Sequence, residues 1–272
     1  MDINTTKTLN NGVEIPIIGL GVFKSGIHTY RAVRHALEAG YRHIDTASYY
    51  QNEEAVGKAV RDSGIDREEV FITSKLWTDD MRKRRVRQAL EKSLSLLNTD
   101  YLDLYLIHWP VKEEFVNSYK VMEELRSEGK IRAIGVSNFQ IHHLKTLMTQ
   151  TNLTPAVNQI ESHPYLNNNE VFEFCRQNNI MPQSWSPLAR GKALEDAKLK
   201  VLASKYNKTV AQIIIRWHIQ KGVIVIPKSV HKERIIENAE VFDFNLTDQD
   251  IMEIDKLDCD LRTGSHPDTF TF

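Results

Sequence analysis

Residues 70–108 read VFITSKLWTDDMRKRRVRQALEKSLSLLNTDYLDLYLIH. Two short apolar runs within them, Val70–Ser74 and Leu102–Ile107, have the length and composition of buried β-strands. Between these runs, apolar residues recur at the helical period and form one stripe, which consists of Val86, Leu90, Leu94 and Leu97. The segment therefore predicts one strand–helix–strand unit of a parallel sheet.

The same alternation of strand-like and helix-like patterns continues along the whole chain. Strand-like runs end near Gly21, Asp45, Lys75, His108, Val136, Ile160, Trp185 and Pro227. Successive ends are separated by roughly 30 residues, which is the length of one strand–helix–strand crossover. These units, uninterrupted by a linker, predict an α/β fold, a single (β/α)8 TIM barrel spanning residues 1–272. A doubly wound open sheet is the alternative, and the even spacing without a second domain disfavours it.

Local signals add three details to the barrel. Asn11-Gly12 between two short extended runs is a strong hairpin signal, so we expect an N-terminal β-hairpin that closes the bottom of the barrel. Asn52, which is followed by two glutamates, is expected to cap a helix. Thr247 and Asp250 are spaced as in a capping box and predict an extra helix near the end of the sequence.

The composition is that of an ordinary soluble protein. Of the 272 residues, 41% are hydrophobic and 26% are charged, and the formal net charge is −1. This balance disfavours nucleic acid or a membrane surface as a partner, and no apolar run approaches the roughly 18 residues of a membrane span. Because Cys175 and Cys259 have neither metal-site nor disulfide spacing, and the first residues show no signal-peptide core, we expect a cytoplasmic protein.

Two charged motifs are expected to be surface features. The basic run Arg82–Arg87 precedes the apolar stripe of a helix, so we interpret it as a solvated face rather than a nucleic-acid contact. His142 and His143 have no metal-ligating partners nearby in the sequence and are interpreted as surface residues. We therefore expect no metal site.

Four polar side chains are the candidate catalytic residues: Asp45, Tyr50, Lys75 and His108. Three of them end predicted strands, and the tyrosine follows shortly after the first. Because the C-terminal ends of barrel strands share one rim, we expect the four side chains to meet there. Such a set suits carbonyl reduction, because a carbonyl that accepts hydride needs a proton donor within hydrogen-bond reach.

The roles follow from ordinary acid strengths. A free tyrosine, with a pKa of about 10, is a poor acid at neutral pH, and a lysine ammonium lowers that pKa. We therefore expect Tyr50 to be the acid and Lys75 to assist it. Asp45 keeps the lysine charged in this hypothesis, and His108 orients the carbonyl oxygen.

Other interpretations of these residues exist. Taken singly, each of the four is more often a structural residue than a functional one. An alternative enzyme is a barrel aldolase or isomerase in which Lys75 forms a Schiff base with a carbonyl substrate. A paired Asp45 opposes this hypothesis, because it keeps the lysine charged and unreactive.

The residues around these positions match the motifs of a known family. Ile44–Glu53 reads IDTASYYQNE, Ser74–Trp77 reads SKLW, and Ile107–Pro110 reads IHWP. Further motifs follow in order at Gly135–Phe139, Asn158–Glu161, Trp185–Leu188 and Ile226–Val230. The chain resembles the aldo-keto reductase family, in particular its small bacterial glyoxal/methylglyoxal reductase and 2,5-diketo-D-gluconate reductase-like branch. The resemblance implies that Tyr50 is the proton donor.

The resemblance also implies a nicotinamide dinucleotide bound without a Rossmann fingerprint, and Gly19–Lys24 lacks the third glycine of that motif. Ser137, Asn138 and Gln159 are implied to hold the carboxamide. Trp185 is implied to stack on the nicotinamide ring. The other implied cofactor contacts are Gly21, Val22, Ser186, Leu188, Lys228, Ser229, Val230, Arg234, Glu237 and Asn238.

The last part of this set bears on cofactor choice. Lys228, Ser229 and Arg234 supply the ammonium, hydroxyl and guanidinium groups that suit a 2′-phosphate. Glu237 and Asn238 match positions that hold the adenine. The resemblance therefore implies NADPH/NADP+ rather than NADH as the cofactor.

At the substrate end, Phe23, Trp77 and Trp109 are expected to form an apolar wall beside His108. A short rim suggests an open pocket for small aldehydes, α-dicarbonyls such as methylglyoxal, or keto-sugar acids. By resemblance, Arg262–Asp268 is expected to fold over the pocket, and the protein to be a monomer. Some relatives act as cofactor-sensing regulatory subunits without turnover, and retention of the four catalytic positions disfavours that role here.

Overall fold

The structure is a computed structural model that describes residues 1–272. Its strands are β1 (Thr6–Thr8), β2 (Glu14–Pro16), β3 (Leu20–Gly21), β4 (His43–Asp45), β5 (Phe71–Leu76), β6 (Leu102–Ile107), β7 (Ile131–Ser137), β8 (Val157–Glu161), β9 (Met181–Trp185) and β10 (Ile224–Val225). The first two form an antiparallel pair, and the other eight form one parallel sheet in sequence order.

The parallel sheet closes on itself. A parallel bridge between Ile18 and Val225 joins its two ends, and Gly19 N donates to Val225 O at 2.9 Å. The closure confirms the predicted (β/α)8 barrel and shows that the open doubly wound sheet is wrong.

The helices are α1 (Thr29–Glu38), α2 (Glu53–Ser63), α3 (Thr78–Arg82), α4 (Val86–Leu97), α5 (Phe115–Ser127), α6 (Ile141–Gln150), α7 (Asn169–Gln177), α8 (Ala197–Tyr206), α9 (Val210–Gln220), α10 (Lys232–Ala239) and α11 (Asp248–Asp255). The predicted apolar stripe of α4 is buried in the main core. The chain leaves α5 through Gly129, whose φ of 78° lies in the left-handed region that favours glycine. None of these helices combines the length and the apolar composition that crossing a bilayer requires.

The predicted N-terminal hairpin is present and covers the bottom of the barrel. Lys7 of β1 pairs with Ile15 of β2, and Gly12 in the turn has a φ of 83°. Ile15 is fully buried among residues of several barrel strands. Asn11 Nδ2 donates at 2.9 Å to the backbone oxygen of Arg132, which lies at the start of β7. The opposite end of the strands is therefore the end that is free to carry a site.

Asn52 does not act as the expected helix cap. Its side chain makes no capping hydrogen bond. Instead, Nδ2 donates to Val22 O at 3.0 Å and to Thr29 Oγ1 at 3.2 Å, and Oδ1 accepts from Thr46 Oγ1 at 2.6 Å. The capping prediction is wrong because the buried amide links three segments of the rim. The predicted cap of α11 is confirmed, since Thr247 Oγ1 accepts a backbone N–H of the first turn.

The basic run Arg82–Arg87 lies on the surface, as expected. Arg84 pairs with Glu114 at 3.2 Å, and Arg87 pairs with Glu128 at 2.7 Å. These acidic partners offset much of the positive charge of the run.

Candidate active site

A buried ion pair lies at the C-terminal ends of two neighbouring strands. Asp45 ends β4 and Lys75 is the last residue but one of β5, and their side chains are 2% and 0% exposed. Lys75 Nζ donates to Asp45 Oδ1 and, at 2.8 Å, to Thr46 O. Burial lowers the pKa of Lys75, and the Asp45 carboxylate acts against that shift. Each charge is therefore held in a dry environment by the other.

Tyr50 brings its hydroxyl to this pair. It lies in the 3-10 turn Ser48–Tyr50 that follows β4, and its Oη is 3.4 Å from Lys75 Nζ. Burial raises the pKa of Tyr50 well above 10, and the charge of Asp45 acts in the same direction. The expected lowering of this pKa is wrong for this structure, because Asp45 offsets the charge of Lys75 and the phenol is desolvated. Tyr50 is a protonated phenol at neutral pH.

His108, which follows β6, faces both the tyrosine and the aromatic wall. Its ring centroid is 5.7 Å from that of Tyr50 and 5.1 Å from that of Trp77, each in edge-on geometry. Burial lowers the pKa of His108 well below 6.5, and the charge of Lys75 adds to the shift. The imidazole is therefore neutral at pH 7 and has one N–H to donate.

Two of the predicted carboxamide-binding residues connect to this centre. Gln159 Nε2 donates to Asp45 Oδ2 at 2.7 Å and to Gln183 Oε1 at 2.9 Å. Ser137 Oγ donates to Gln159 O at 2.8 Å. Gln183 was not identified from the sequence as a site residue. Its position two residues before Trp185 in a buried strand was a usable signal, since alternate residues of a strand share one face.

Asn138 and Trp185 meet next to His108. Asn138 Nδ2 donates to His108 O at 2.9 Å, and Trp185 Nε1 donates to Asn138 Oδ1 at 2.9 Å. Asn138 has a φ of 64°, a left-handed conformation that asparagine tolerates better than most residues. The structure therefore brings the predicted carboxamide and stacking residues to the same rim as the four polar side chains.

The predicted adenine end lies around the start of α10. Lys228 and Arg234 are exposed, while Ser229 and Asn238 are buried. Glu237 accepts a hydrogen bond from a threonine side chain at the start of α9 at 2.8 Å. The remaining members of the predicted set lie at the end of β3, after β9 and after β10: Gly21, Val22, Ser186, Leu188 and Val230.

The three predicted wall residues also reach the rim. Phe23 lies against Tyr50, with ring centroids 4.9 Å apart. Trp77 lies against His108, as described above, and Trp109 is 7% exposed. The predicted apolar surface therefore borders the tyrosine and histidine side chains.

Three further aromatic residues of this wall were missed. Tyr49 and Phe272 both stack on Trp77, with centroids 3.8 and 5.4 Å away, and Phe270 lies 5.2 Å from Trp109. The tail after α11 therefore folds over the pocket, as expected for Arg262–Asp268, and adds two phenylalanines to it. Two aromatic residues in an otherwise polar tail were the available signal.

The interpretation of His142 and His143 as residues without ligand-type neighbours is wrong. Asp268 of the tail lies 3.1 Å from His142 Nε2 and 3.4 Å from His143 Nε2. However, Gln140 N donates to His143 Nδ1 at 3.1 Å, so the neutral ring carries its proton on Nε2, the nitrogen that faces the Asp268 carboxylate. The cluster is therefore a polar contact between α6 and the tail, and it brings together residues that are distant in sequence.

Comparisons with known proteins agree with this geometry. The chain matches the model of the aldo/keto reductase family over residues 18–259. It is 48% identical to glyoxal reductase of Bacillus subtilis (strain 168) over 272 residues, which cover 99% of each chain. It is 49% identical to methylglyoxal reductase DkgA of Escherichia coli (strain K12) over 271 residues, which cover 98% of each chain.

Two solved structures of aldo-keto reductases match almost the whole chain. MGS-M4, an aldo-keto reductase from a Medee basin deep-sea metagenome library, has a TM-score of 0.95 and 44% identity, covering 98% of this chain and 100% of that one. Bombyx mori aldo-keto reductase in complex with NADP has a TM-score of 0.91 and 35% identity, covering 97% and 96%. The resemblance drawn from the motifs is confirmed, and the chain belongs to the aldo/keto reductase family of oxidoreductases.

Proposed function

We propose that this protein catalyses the NADPH-dependent reduction of small aldehydes and α-dicarbonyls to alcohols, with Tyr50 as the proton donor. The observation that carries the proposal is the Tyr50 hydroxyl, 3.4 Å from an ammonium that is itself buried against Asp45. Similarity to proteins named glyoxal reductase and methylglyoxal reductase supports the substrate class. Keto-sugar acids are a second substrate class for the same chemistry.

The side chains divide the work of proton delivery. The neutral His108 imidazole donates a hydrogen bond to the carbonyl oxygen and orients it. As negative charge develops on that oxygen, Tyr50 passes its phenolic proton to it, and the nearby Lys75 ammonium stabilises the phenolate that remains, against the opposing effects of burial and of the Asp45 charge on the pKa of Tyr50. Asp45 keeps the lysine charged. A positioned acid of this kind contributes roughly 10²–10⁴ in rate.

The cofactor is NADPH, which supplies the hydride when it is bound. The exposed cations Lys228 and Arg234 offer the charge that a 2′-phosphate requires. At the other end, the partly exposed indole of Trp185 offers a flat surface beside the polar groups of Asn138 and Gln159. A similar structure that contains NADP supports the same assignment.

Two other functions are less well supported. A Schiff-base aldolase needs an uncharged and accessible lysine, whereas Lys75 is fully buried and paired. A regulatory subunit would bind NADPH without turnover, and the complete set of polar groups around Tyr50 gives no reason for such a loss. A lysine adduct trapped by borohydride would favour the aldolase.

We also infer that the enzyme works in the cytoplasm as a monomer. Cys175 and Cys259 are free thiols, which suits a reducing compartment. Light scattering of the purified protein tests the oligomeric state, and the mass of a dimer would contradict the inference.

The test of the proposed function follows the loss of NADPH absorbance with methylglyoxal, short aldehydes and keto-sugars, and repeats it with NADH. We expect substrate-dependent oxidation that favours NADPH. NADPH binding without turnover of any substrate would contradict the proposal and favour the regulatory role.

A further inference from the structure

A buried carboxylate fastens the tail to the barrel wall. Glu161, the last residue of β8, is 1% exposed. Its Oε1 accepts from Thr263 N at 2.7 Å and from Thr263 Oγ1 at 2.5 Å, and its Oε2 accepts from Gly264 N at 3.1 Å. His163 Nε2 lies 3.2 Å from Oε1. The Glu161 carboxylate therefore accepts hydrogen bonds from two backbone N–H groups and one hydroxyl group of the tail.

The carboxylate is ionised at neutral pH. Burial raises the pKa of Glu161, but the hydrogen bonds from His163 and Thr263 together outweigh burial and hold the pKa below its ordinary value. Hydrogen bonds to an ionised acceptor are stronger than neutral ones. The segment at residues 263–264 is therefore a fixed part of the rim.

Gly264 lies directly against the indole of Trp185. A Cβ on Gly264 would come within 2.5 Å of Trp185 Cη2 and 3.3 Å of Cζ3, so the ring would have to move. The backbone of Gly264 is outside the left-handed region. A larger residue is therefore opposed mainly by the ring, with Glu161 Oε2 at 3.2 Å from the added Cβ, and not by backbone strain.

The five-membered end of the same indole is also held. Trp185 Nε1 donates to Asn138 Oδ1 at 2.9 Å, and Asn138 Nδ2 donates in turn to His108 O at 2.9 Å. The indole is thus bounded by the tail at its six-membered end and by a hydrogen bond at the other.

We propose that Glu161 and Gly264 are positioning residues for the nicotinamide ring, because through the tail they set the orientation of Trp185. The inference rests on the proposed function, in which this indole stacks on the ring. A surface that is already ordered binds a flat group at a lower entropic cost. The anchored tail therefore governs affinity for the nicotinamide half of the cofactor and leaves affinity for the adenine half unchanged.

Gly264→Ala tests the contact. The variant and the wild type are titrated by calorimetry with NADPH and with 2′-phospho-ADP-ribose, which lacks the nicotinamide. Because overpacking displaces the ring, we expect NADPH affinity to fall by roughly tenfold while affinity for the fragment stays within about twofold. Ser265→Ala changes the adjacent exposed residue and should bind both ligands as the wild type does.

Two further variants address the ring and the anchor separately. Trp185→Tyr replaces the indole by a smaller ring, which leaves room for a Cβ at position 264. Gly264→Ala should therefore lower NADPH affinity much less in the Trp185→Tyr background than in the wild-type background. Glu161→Gln removes the charge that holds the tail, and it should weaken binding of NADPH but not of the fragment.

The test depends on the difference between the loss of affinity for NADPH and the loss of affinity for the fragment. Equal losses for NADPH and the fragment would overturn the inference, as would wild-type NADPH affinity in a folded Gly264→Ala variant. If that variant fails to fold, Glu161→Gln is judged by the same criterion. A wild-type protein that binds the fragment and NADPH but reduces no carbonyl would overturn the proposed function and leave the positioning role intact.

Discussion

Gln159 Nε2 lies 2.7 Å from Asp45 Oδ2, the oxygen opposite the one that Lys75 occupies. The amide expected to face the cofactor carboxamide therefore shares a hydrogen-bond network with the ion pair that is proposed to assist Tyr50. Such networks respond as a unit when one member changes. We therefore expect changes at Gln159 to affect cofactor binding and proton delivery together.

Replacement of Tyr50 separates chemistry from binding. Tyr50→Phe should lower kcat by roughly 10²–10⁴, because the acid is lost, and leave the Kd for NADPH nearly unchanged. Steady-state kinetics and fluorescence titration measure the two quantities. Tyr49→Phe is the matched control, since it keeps the stacked ring on Trp77 and should retain activity. Near-normal turnover by Tyr50→Phe would show that another group is the acid.

Asp45→Asn removes the counter-charge of a fully buried lysine. We expect the free energy of unfolding to fall by about 3–5 kcal/mol, because an uncompensated buried charge remains. Urea denaturation measures the change. Asp62→Asn breaks the exposed pair with Lys58 and should have little effect. Equal effects of the two substitutions would argue against a special role for burial at Asp45.

The pH dependence of stability should report on His43. Burial lowers the pKa of this fully buried side chain to about 3, whereas an unfolded histidine titrates near 6.5. The unfolded state then binds the extra proton, so stability is fully present above about pH 6.5 and is lost as pH falls toward about 3.

We therefore expect the free energy of unfolding of His43→Gln to fall less steeply with decreasing pH than that of the wild type. The two slopes should differ by up to about 1.4 kcal/mol per pH unit. Denaturation curves at several pH values below neutrality measure the slope. The exposed His28→Gln serves as the control. Parallel curves for His43→Gln and the wild type would contradict the expectation.

Arg234→Ala should discriminate between the two nicotinamide cofactors. Loss of a charged donor to the 2′-phosphate should lower the affinity for NADPH by roughly ten- to a hundredfold and leave the affinity for NADH almost unchanged. Competition titrations measure both affinities. Lys200→Ala removes an exposed cation from α8 and should change neither. Equal weakening of NADPH and NADH would point to a general defect instead.

Asp268→Ala should loosen the end of the tail. The substitution removes the carboxylate that lies against both His142 and His143, so Phe270 and Phe272 should cover the pocket less completely. We expect faster hydrogen exchange in the tail and a raised KM for methylglyoxal, with Thr271→Ala as an exposed control. Unchanged exchange would show that Asp268 does not hold the end of the tail.

The barrel and the central polar residues were predictable because their signals are local. Each predicted strand ends where its apolar pattern ends. In a (β/α)8 barrel, a polar residue at that point lies at the C-terminal rim. Asp45, Lys75 and His108 follow this rule, and so does Trp185 at the end of β9. Family resemblance then supplied expectations for residues such as Arg234, which have no local signature.

The missed residues depend on contacts between distant segments. Asn52 has the local signature of a helix cap, yet its neighbours in the fold offer its buried amide better partners. Asp268 meets His142 across more than a hundred positions of sequence, a contact that no period or motif encodes. The raised pKa of Tyr50 was missed for a related reason, since desolvation depends on packing that only the structure shows.

The bridge between Ile18 and Val225 has a consequence for the cofactor. Ile18 lies just before β3 and Val225 ends β10, the two shortest strands of the barrel, so the bridge marks the seam between the first and the last barrel strand. Gly21 and Val22 lie on one side of the seam, and Lys228–Val230 lie on the other. A ligand that contacts both sides of the seam binds only when the barrel is closed, so its binding stabilises the closed, folded barrel. The lifetime of the folded enzyme should therefore follow the supply of its coenzyme.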